Sequence, residues 1–248
     1  MGHLSRIVTI GILAALVSPA FAGLYGHGLT ITAVDQGGAS ASLTLDGVWV
    51  GDTFVWSSNE RMEFRNGDDT LAVLNPNQEG SSFYYHVDPV VNLNFALQAG
   101  ASTTTFMVSS ALLSFPDIAL ASAVASASFS VTDSNGNGAA LASLHPSGAY
   151  LAQYNGFAGT ESGTTYTRLL TGVSAGAFAS NTVADSYPAT GFVGLAGPIS
   201  DISSAVGFTL SAHDLASGTT TFTVEPVPAP GAALLALVGF GLLRSRRG

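Results

Sequence analysis

In Leu29-Thr-Ile-Thr-Ala-Val34 and Ala41-Ser-Leu-Thr-Leu45, apolar residues alternate with small hydroxyl residues. A period of two puts one set on each face of an extended strand and fits no helix. The pattern returns at residues 83–87, 91–97, 103–108, 126–132, 149–154, 164–170, 206–211 and 219–224. Glycine, asparagine, aspartate and proline separate these runs. Asp46-Gly47 predicts a hairpin turn into Val48-Trp-Val50, and Gly51-Asp52 leads on to Thr53-Phe-Val-Trp56. Residues 118–127 are alanine-rich enough for a helix, but their Ala-Ser alternation before Phe129-Ser-Val131 favours a strand. Residues 143–148 and 155–163 read as loops. Residues 208–224 read strand, turn, strand: a closing hairpin that would release the chain from a sheet edge. Many short strands without a helical period predict an all-β fold, an antiparallel β-sandwich of jelly-roll-like form.

The ends of the chain depart from this pattern and divide it into residues 1–22, 23–224 and 225–248. At the start, His3 and Arg6 precede an apolar run over 7–17, then Ala20-Phe-Ala22 before Gly23. That order is a secretory signal peptide, with signal peptidase cutting between Ala22 and Gly23. The other end runs Val227-Pro-Ala-Pro-Gly231, an apolar stretch over 232–243, then Arg244, Arg246 and Arg247. As a helix at ~1.5 Å per residue the stretch covers roughly 18 Å, a marginal span for the ~30 Å hydrocarbon core. The arginines would hold its end on the cytoplasmic side.

This tail resembles the PEP-CTERM sorting signal: a Val-Pro-x-Pro element (Val227, Pro228, Ala229, Pro230), an apolar helix and a basic terminus. Ala229 stands where that family usually has glutamate, and the Glu225-Pro226 pair lies just upstream. The resemblance covers about a tenth of the chain. It implies export in Gram-negative-type bacteria that make extracellular polysaccharide, and transient anchoring in the inner membrane by the C-terminal helix. It also implies recognition by an exosortase-type membrane transpeptidase that cuts near the prolines. Nothing in it bears on the chemistry of the ectodomain.

Over residues 23–226, all sixteen acids of the chain face only Arg61, Arg65 and Arg168, and lysine is absent. So acidic a surface repels nucleic-acid phosphates and anionic lipid, which excludes nucleic-acid binding and leaves the tail as the membrane contact. The absence of cysteine excludes disulfides, thiolate metal sites and thiol nucleophiles.

Few residue patterns point to chemistry. Asp133-Ser-Asn135-Gly-Asn137-Gly138 opens like a calcium loop, with oxygen ligands at alternate positions. The twelfth position is Leu144, which rules out an EF-hand, so Asp133, Asn135 and Asn137 are candidates for a simpler Ca2+ turn. The same composition suits an Asn-Gly hairpin turn without metal. Asn66-Gly-Asp68-Asp69 is a weaker case of the same kind. Gly172-Val-Ser174-Ala-Gly176 matches G-x-S-x-G, with Asp185 or Asp201 and then His213 in hydrolase order, but the long helix that should follow the serine is missing. His27, His86, His145 and His213 lack metal-site spacing. Trp49, Trp56, Tyr84, Tyr85, Tyr150, Tyr154 and Tyr166 could include a platform for sugar rings, although strand aromatics more often fill a core. The expectation is an exported, surface-sorted, non-enzymatic protein of the envelope or exopolysaccharide matrix. The alternatives are a carbohydrate-binding module supported by Ca2+ and a serine hydrolase using Ser174.

Overall fold

Strand is the only regular structure among the residues this computed structural model describes, 23–157 and 162–227. The first half runs β1 (Gly23–Asp35), β2 (Ser40–Leu45), β3 (Val48–Val50), β4 (Thr53–Ser58), β5 (Met62–Asn66), β6 (Asp69–Leu74), β7 (Ser81–His86), β8 (Val90–Ala99) and β9 (Thr104–Ile118). The second runs β10 (Ala121–Thr132), β11 (Ala139–Ser143), β12 (Tyr150–Tyr154), β13 (Thr164–Leu169), β14 (Gly172–Ala175), β15 (Ser180–Tyr187), β16 (Val193–Gly194), β17 (Ile199–Leu210) and β18 (Leu215–Pro226). Ala20, Ala22, Pro228, Ala229, Pro230, Gly231, the apolar stretch 232–243 and Arg244, Arg246 and Arg247 lie outside the described residues.

The strands form two antiparallel sheets in a sandwich-like arrangement. The eight-stranded sheet has the order β13-β12-β17-β9-β1-β2, with β11 joined to β17 and β14 to β11. The ten-stranded sheet has the order β15-β10-β18-β8-β7-β4-β3, with β16 on β10 and the β5–β6 hairpin on β8. The alternation read from the sequence decides which face turns inward: Leu29, Ile31 and Ala33 are buried, while Thr30 and Thr32 look out. Aromatic rings join the layers. Phe208 of β17 stacks on Phe95 of β8 at 6.1 Å and meets its neighbour Phe106 at 5.4 Å. Phe95 also meets Phe129 of β10 at 6.4 Å.

Gly218 makes that arrangement possible. In the middle of β18 it pairs with Phe129 on one side and Phe95 on the other. A Cβ here would lie 2.4 Å from Phe95 Cζ and 2.8 Å from Phe129 Cδ1, so the rings occupy the space a side chain would take. Such a glycine marks a close approach within a strand.

Three expectations need correction. Asp46-Gly47 is a crossing between layers rather than a hairpin turn, because β2 pairs with β1 in one sheet and β3 with β4 in the other. Its residues fit that role: the Asp46 carboxylate accepts the Gly28 amide at 3.2 Å, and a Cβ on Gly47 would strike the Val55 carbonyl oxygen at 2.4 Å. The last two strands form no hairpin either, since β17 and β18 lie in different sheets. Nor does the chain leave from a sheet edge, as β18 is flanked along its length by β10 and β8. The alanine-rich segment is strand from Ala121, as its alternation favours. β11, β14 and β15 carry no sequence expectation: the first two are short, and β15 is exposed along most of its length.

Gly218→Val should drive a rigid branched side chain into two buried rings. Overpacking of this kind costs about 1–3 kcal/mol, and β18 has no slack to absorb it. Urea unfolding should show the lower midpoint with the slope unchanged.

Candidate functional site

One end of the sandwich is stitched together by two buried carboxylates. Asp133, at the end of β10, is 3% exposed; its Oδ2 accepts the Gly136 amide at 2.9 Å and the Phe178 amide at 2.5 Å. Asp214 is fully buried, with Oδ1 accepting the Ser134 amide at 3.2 Å and Oδ2 held by the Ser211 hydroxyl. The loops after β10, β14 and β17 are thereby tied to one another. Burial works to raise the Asp133 pKa, but the backbone amides of Phe178, Gly138, Asn135 and Gly136 outweigh it and hold the carboxyl below the usual aspartate range.

The candidate calcium residues make hydrogen bonds within their own turn and to the neighbouring loops. Asn135 Oδ1 accepts the Asn137 amide at 3.2 Å, and its Nδ2 donates to the Ala212 carbonyl at 3.2 Å. Asp133 is turned toward backbone amides, with Oδ1 buried and unpaired. Among the described residues no group of three acidic or histidine side chains converges as a metal shell. The arrangement is that of an Asx-closed turn in which glycines at positive φ, Gly136 and Gly138, present their amides to the carboxylate.

Ser174 lies exposed on β14 opposite Ala140, on a strand rather than a strand-to-helix elbow. Its carbonyl accepts the Asn181 side chain at 2.9 Å. Asp185 Oδ1 accepts the neighbouring Ser186 amide at 2.8 Å, and Asp201 accepts the Gly156 amide at 2.7 Å. No hydrogen bond among the described residues joins Ser174, Asp185, Asp201 and His213.

The seven candidate aromatics separate by face. Tyr85, Tyr150 and Tyr154 are buried, Trp56 stacks on Phe83 at 5.8 Å, and Tyr166 packs on Phe222 at 5.2 Å. Burial, with Tyr187 beside it, pushes the Tyr166 pKa up to about 12, and its hydroxyl donates to the Ala123 carbonyl at 2.6 Å. Only Trp49 and Tyr84 are well exposed, at 44% and 40%. They point to opposite faces: Trp49 pairs with Phe54 in the row that leads to buried Tyr85, whereas Tyr84 pairs with Val55 and Asn92 on the outside.

That outside face is the most distinctive surface of the molecule. One cross-strand row runs Ser82, Asn94, Thr219, Ser128, Ala184; the next runs Tyr84, Asn92, Thr221, Ser126, Ser186. A third adds Ala96, Ser217, Ser130 and Thr182. None of these residues is charged. Several pair across strands: Asn92 Nδ2 donates to Thr221 Oγ1 at 2.8 Å, Thr219 Oγ1 to Asn94 Oδ1 at 3.2 Å, and Ser130 and Thr182 share a bond of 2.5 Å. Each hydroxyl still has capacity left, having one donor and two lone pairs. Two shallow hollows interrupt the face, one by Ser126, Ser128, Ser186 and Thr219 with the Asp185 carboxylate at its β15 side, the other by Ser57, Ser82 and Asn94. A broad, uncharged array of hydroxyls and amides with a tyrosine ring at one end can meet the hydroxyls and ring faces of a sugar polymer.

Of the residues expected in the sorting element and at the cleavage site, Val227 and Gly23 fall within the described chain. Gly23 opens β1, and Val227 follows β18 with its amide on the Leu120 carbonyl at 2.9 Å.

No family model matches the sequence, and no curated protein does. Among solved structures the chain is similar to "Structure of infectious bursal disease virus Gx strain", at 12% identity and TM-score 0.26, over 81% of this chain and 61% of that one. For "Structure of infectious bursal disease virus Gt strain" the values are 13% and 0.22, over 82% and 60%. The chain thus spans about 60% of the length of these proteins, and so low a likeness says nothing of function.

A depressed folded-state pKa contributes stability that is present above the unfolded value, about 3.9 for aspartate, and lost as pH falls through the folded value. Asp133→Asn should therefore unfold at lower urea than the parent at pH 7, and the gap should close as the pH is taken below 4. Since backbone amides occupy Oδ2, the deficit at pH 7 should be the same with calcium or chelator; a calcium-dependent deficit would assign the turn a metal.

Proposed function

We propose that this chain is an exported, surface-sorted, non-enzymatic protein of the bacterial envelope or exopolysaccharide matrix, contacting polysaccharide through the outer face of the ten-stranded sheet. In this reading a jelly-roll-like sandwich stands between a signal peptide removed before Gly23 and a C-terminal apolar helix recognised by an exosortase-type transpeptidase. The observation that carries the binding part is the uncharged hydroxyl-and-amide array on β7, β8, β18, β10 and β15, with Tyr84 at its margin. Ionic side chains would give such a surface stronger hydration; the chain instead uses serine, threonine and asparagine, whose bonding matches that of a polyol. A surface of this kind gains by many weak exchanges of water for sugar hydroxyls, each modest alone, and by stacking on an aromatic ring.

The support for sorting is the order of elements at the two ends, and it is tested by mass spectrometry of the native protein after cell fractionation. A chain beginning at Gly23 and ending within Val227–Gly231, outside the inner membrane, is expected; one that keeps Arg244–Arg247 in the inner membrane would remove the sorting claim. For the binding claim, Ser126→Glu combined with Thr219→Glu puts two carboxylates on the face without touching the core. Affinity electrophoresis through a neutral polysaccharide from the source cells should show retardation of the parent, weakened roughly tenfold in the variant at equal melting temperature. Equal retardation of the two would take this face out of the account.

A further inference from the structure

The outer face of the eight-stranded sheet has a different character. Near β1 and β2 it carries hydroxyls, with Thr32 and Ser42 sharing a bond of 2.8 Å. Toward β17 and β12 it turns apolar. Leu151 stands opposite Ala205, and the two form a small buried cluster separate from the core between the sheets. In the adjacent row Gly207 stands opposite Met107. The loop after β11 folds over them, its Leu144 amide bonded to the Gly207 carbonyl at 3.1 Å. A Cβ on Gly207 would lie only 3.2 Å from Leu144 Cδ1 and 3.3 Å from Met107 Cε, so the bare backbone lets these two side chains close over the strand. The result is a groove of about 150 Å³ over buried Leu151, Ala205 and Gly207, with Met107 and Leu144 as its exposed apolar side chains and His145 and Arg168 at its boundary. A second hollow beyond those two residues reaches Ser147, Gly163 and Thr165.

Arg168 sets the polarity of this groove. Arg61 and Arg65 are both occupied with Glu63. Arg168, half-buried and opposite Leu151, meets no carboxylate among the described residues and is the one cation of β13. His145 Nδ1 accepts the Ser147 amide at 3.1 Å, which leaves Nε2 as the donor of the neutral ring. A guanidinium beside the exposed apolar side chains of Met107 and Leu144, with hydroxyls beyond it, suits a ligand with a carboxylate on a ring that has one apolar face.

We infer that the groove binds a hexuronate unit of an acidic polysaccharide, its carboxylate on Arg168, which supplies locally the positive charge that the rest of this acidic chain lacks, its ring against Met107 and Leu144, and its hydroxyls toward Ser147, Thr165 and His145. This rests on the reading of the protein as a polysaccharide-contacting one, but it uses a different sheet, so the two can fail separately.

The test is calorimetric titration of the full chain with a galacturonate trimer, with a neutral glucose trimer and octanoate as the contrasting ligands. The uronate trimer should bind measurably and more tightly than either contrast. Arg168→Gln should weaken it roughly 10- to 100-fold, the worth of a charged hydrogen-bonded pair, and Arg168→Lys should weaken it less. Thr165→Glu, at an exposed rim position, should also weaken it by repulsion and serves if Arg168→Gln lowers the melting temperature. Retardation by neutral polysaccharide should be the same in Arg168→Gln and parent, because that contact belongs to the other face. Absence of uronate binding, octanoate binding as tightly as the uronate, or uronate affinity indifferent to both Arg168→Gln and Thr165→Glu would overturn the inference. None of those outcomes touches the hydroxyl face.

Discussion

Two phenylalanine rings lie across Gly218, and the way the sheets meet follows from that contact. Phe95 and Phe129 belong to the strands on either side of β18, and both reach over its bare backbone into the space between the sheets. There Phe95 stacks on Phe208, which meets Phe106. A side chain at position 218 would force these rings apart and lift one layer off the other. The core elsewhere is built of small and medium residues, such as the alanines at 121, 123, 125 and 127 on β10. With so much alanine on one inner wall, the large rings of its neighbours fill the volume, and close packing depends on where each ring can lie.

A second constraint is the near absence of positive charge. Without lysine, and with two arginines held by Glu63, the chain has few ion pairs to place. Local order comes from hydroxyls and from carboxylates bound to backbone amides. Asp133 and Asp214 close one end of the sandwich, and Asp46 caps the crossing from one sheet to the other. Each satisfies amides that a turn would otherwise leave bare. The edge strand β3 departs from this economy: Val48, Trp49 and Val50 are all exposed, with no charge among them.

How far the sequence could be read depended on the kind of information each element carries. Alternation is local, so β1, β2, β8, β12 and β18 were legible from runs such as Leu29-Thr-Ile-Thr-Ala-Val34. Which sheet a strand joins is not local. Asp46-Gly47 has the composition of a hairpin turn, and only the pairing of β2 with β1 and β3 with β4 shows it as a crossing. β15 escaped notice because Ser180-Asn-Thr-Val-Ala-Asp-Ser-Tyr187 has almost nothing to bury. The hydroxyl face was present as separate alternations, Asn92 with Asn94, Ser126 with Ser128, and Thr219 with Thr221. Their meeting on one surface depends on β8, β18 and β10 being neighbours across long stretches of chain. Arg168 was visible as a rare base, but its apolar setting comes from Leu151, Ala205 and Gly207 on two other strands.

The position of β18 has a mechanical meaning. It is a central strand, paired over twelve residues with β10 and nine with β8, and the chain beyond Val227 continues from its end. Tension applied from that side runs along the strand axis and crosses both ladders of hydrogen bonds at right angles. The bonds are then loaded together in shear and must yield collectively, whereas a strand peeled from an edge gives way one bond at a time. Force applied at the end of β18 therefore meets collective resistance from both neighbouring strands.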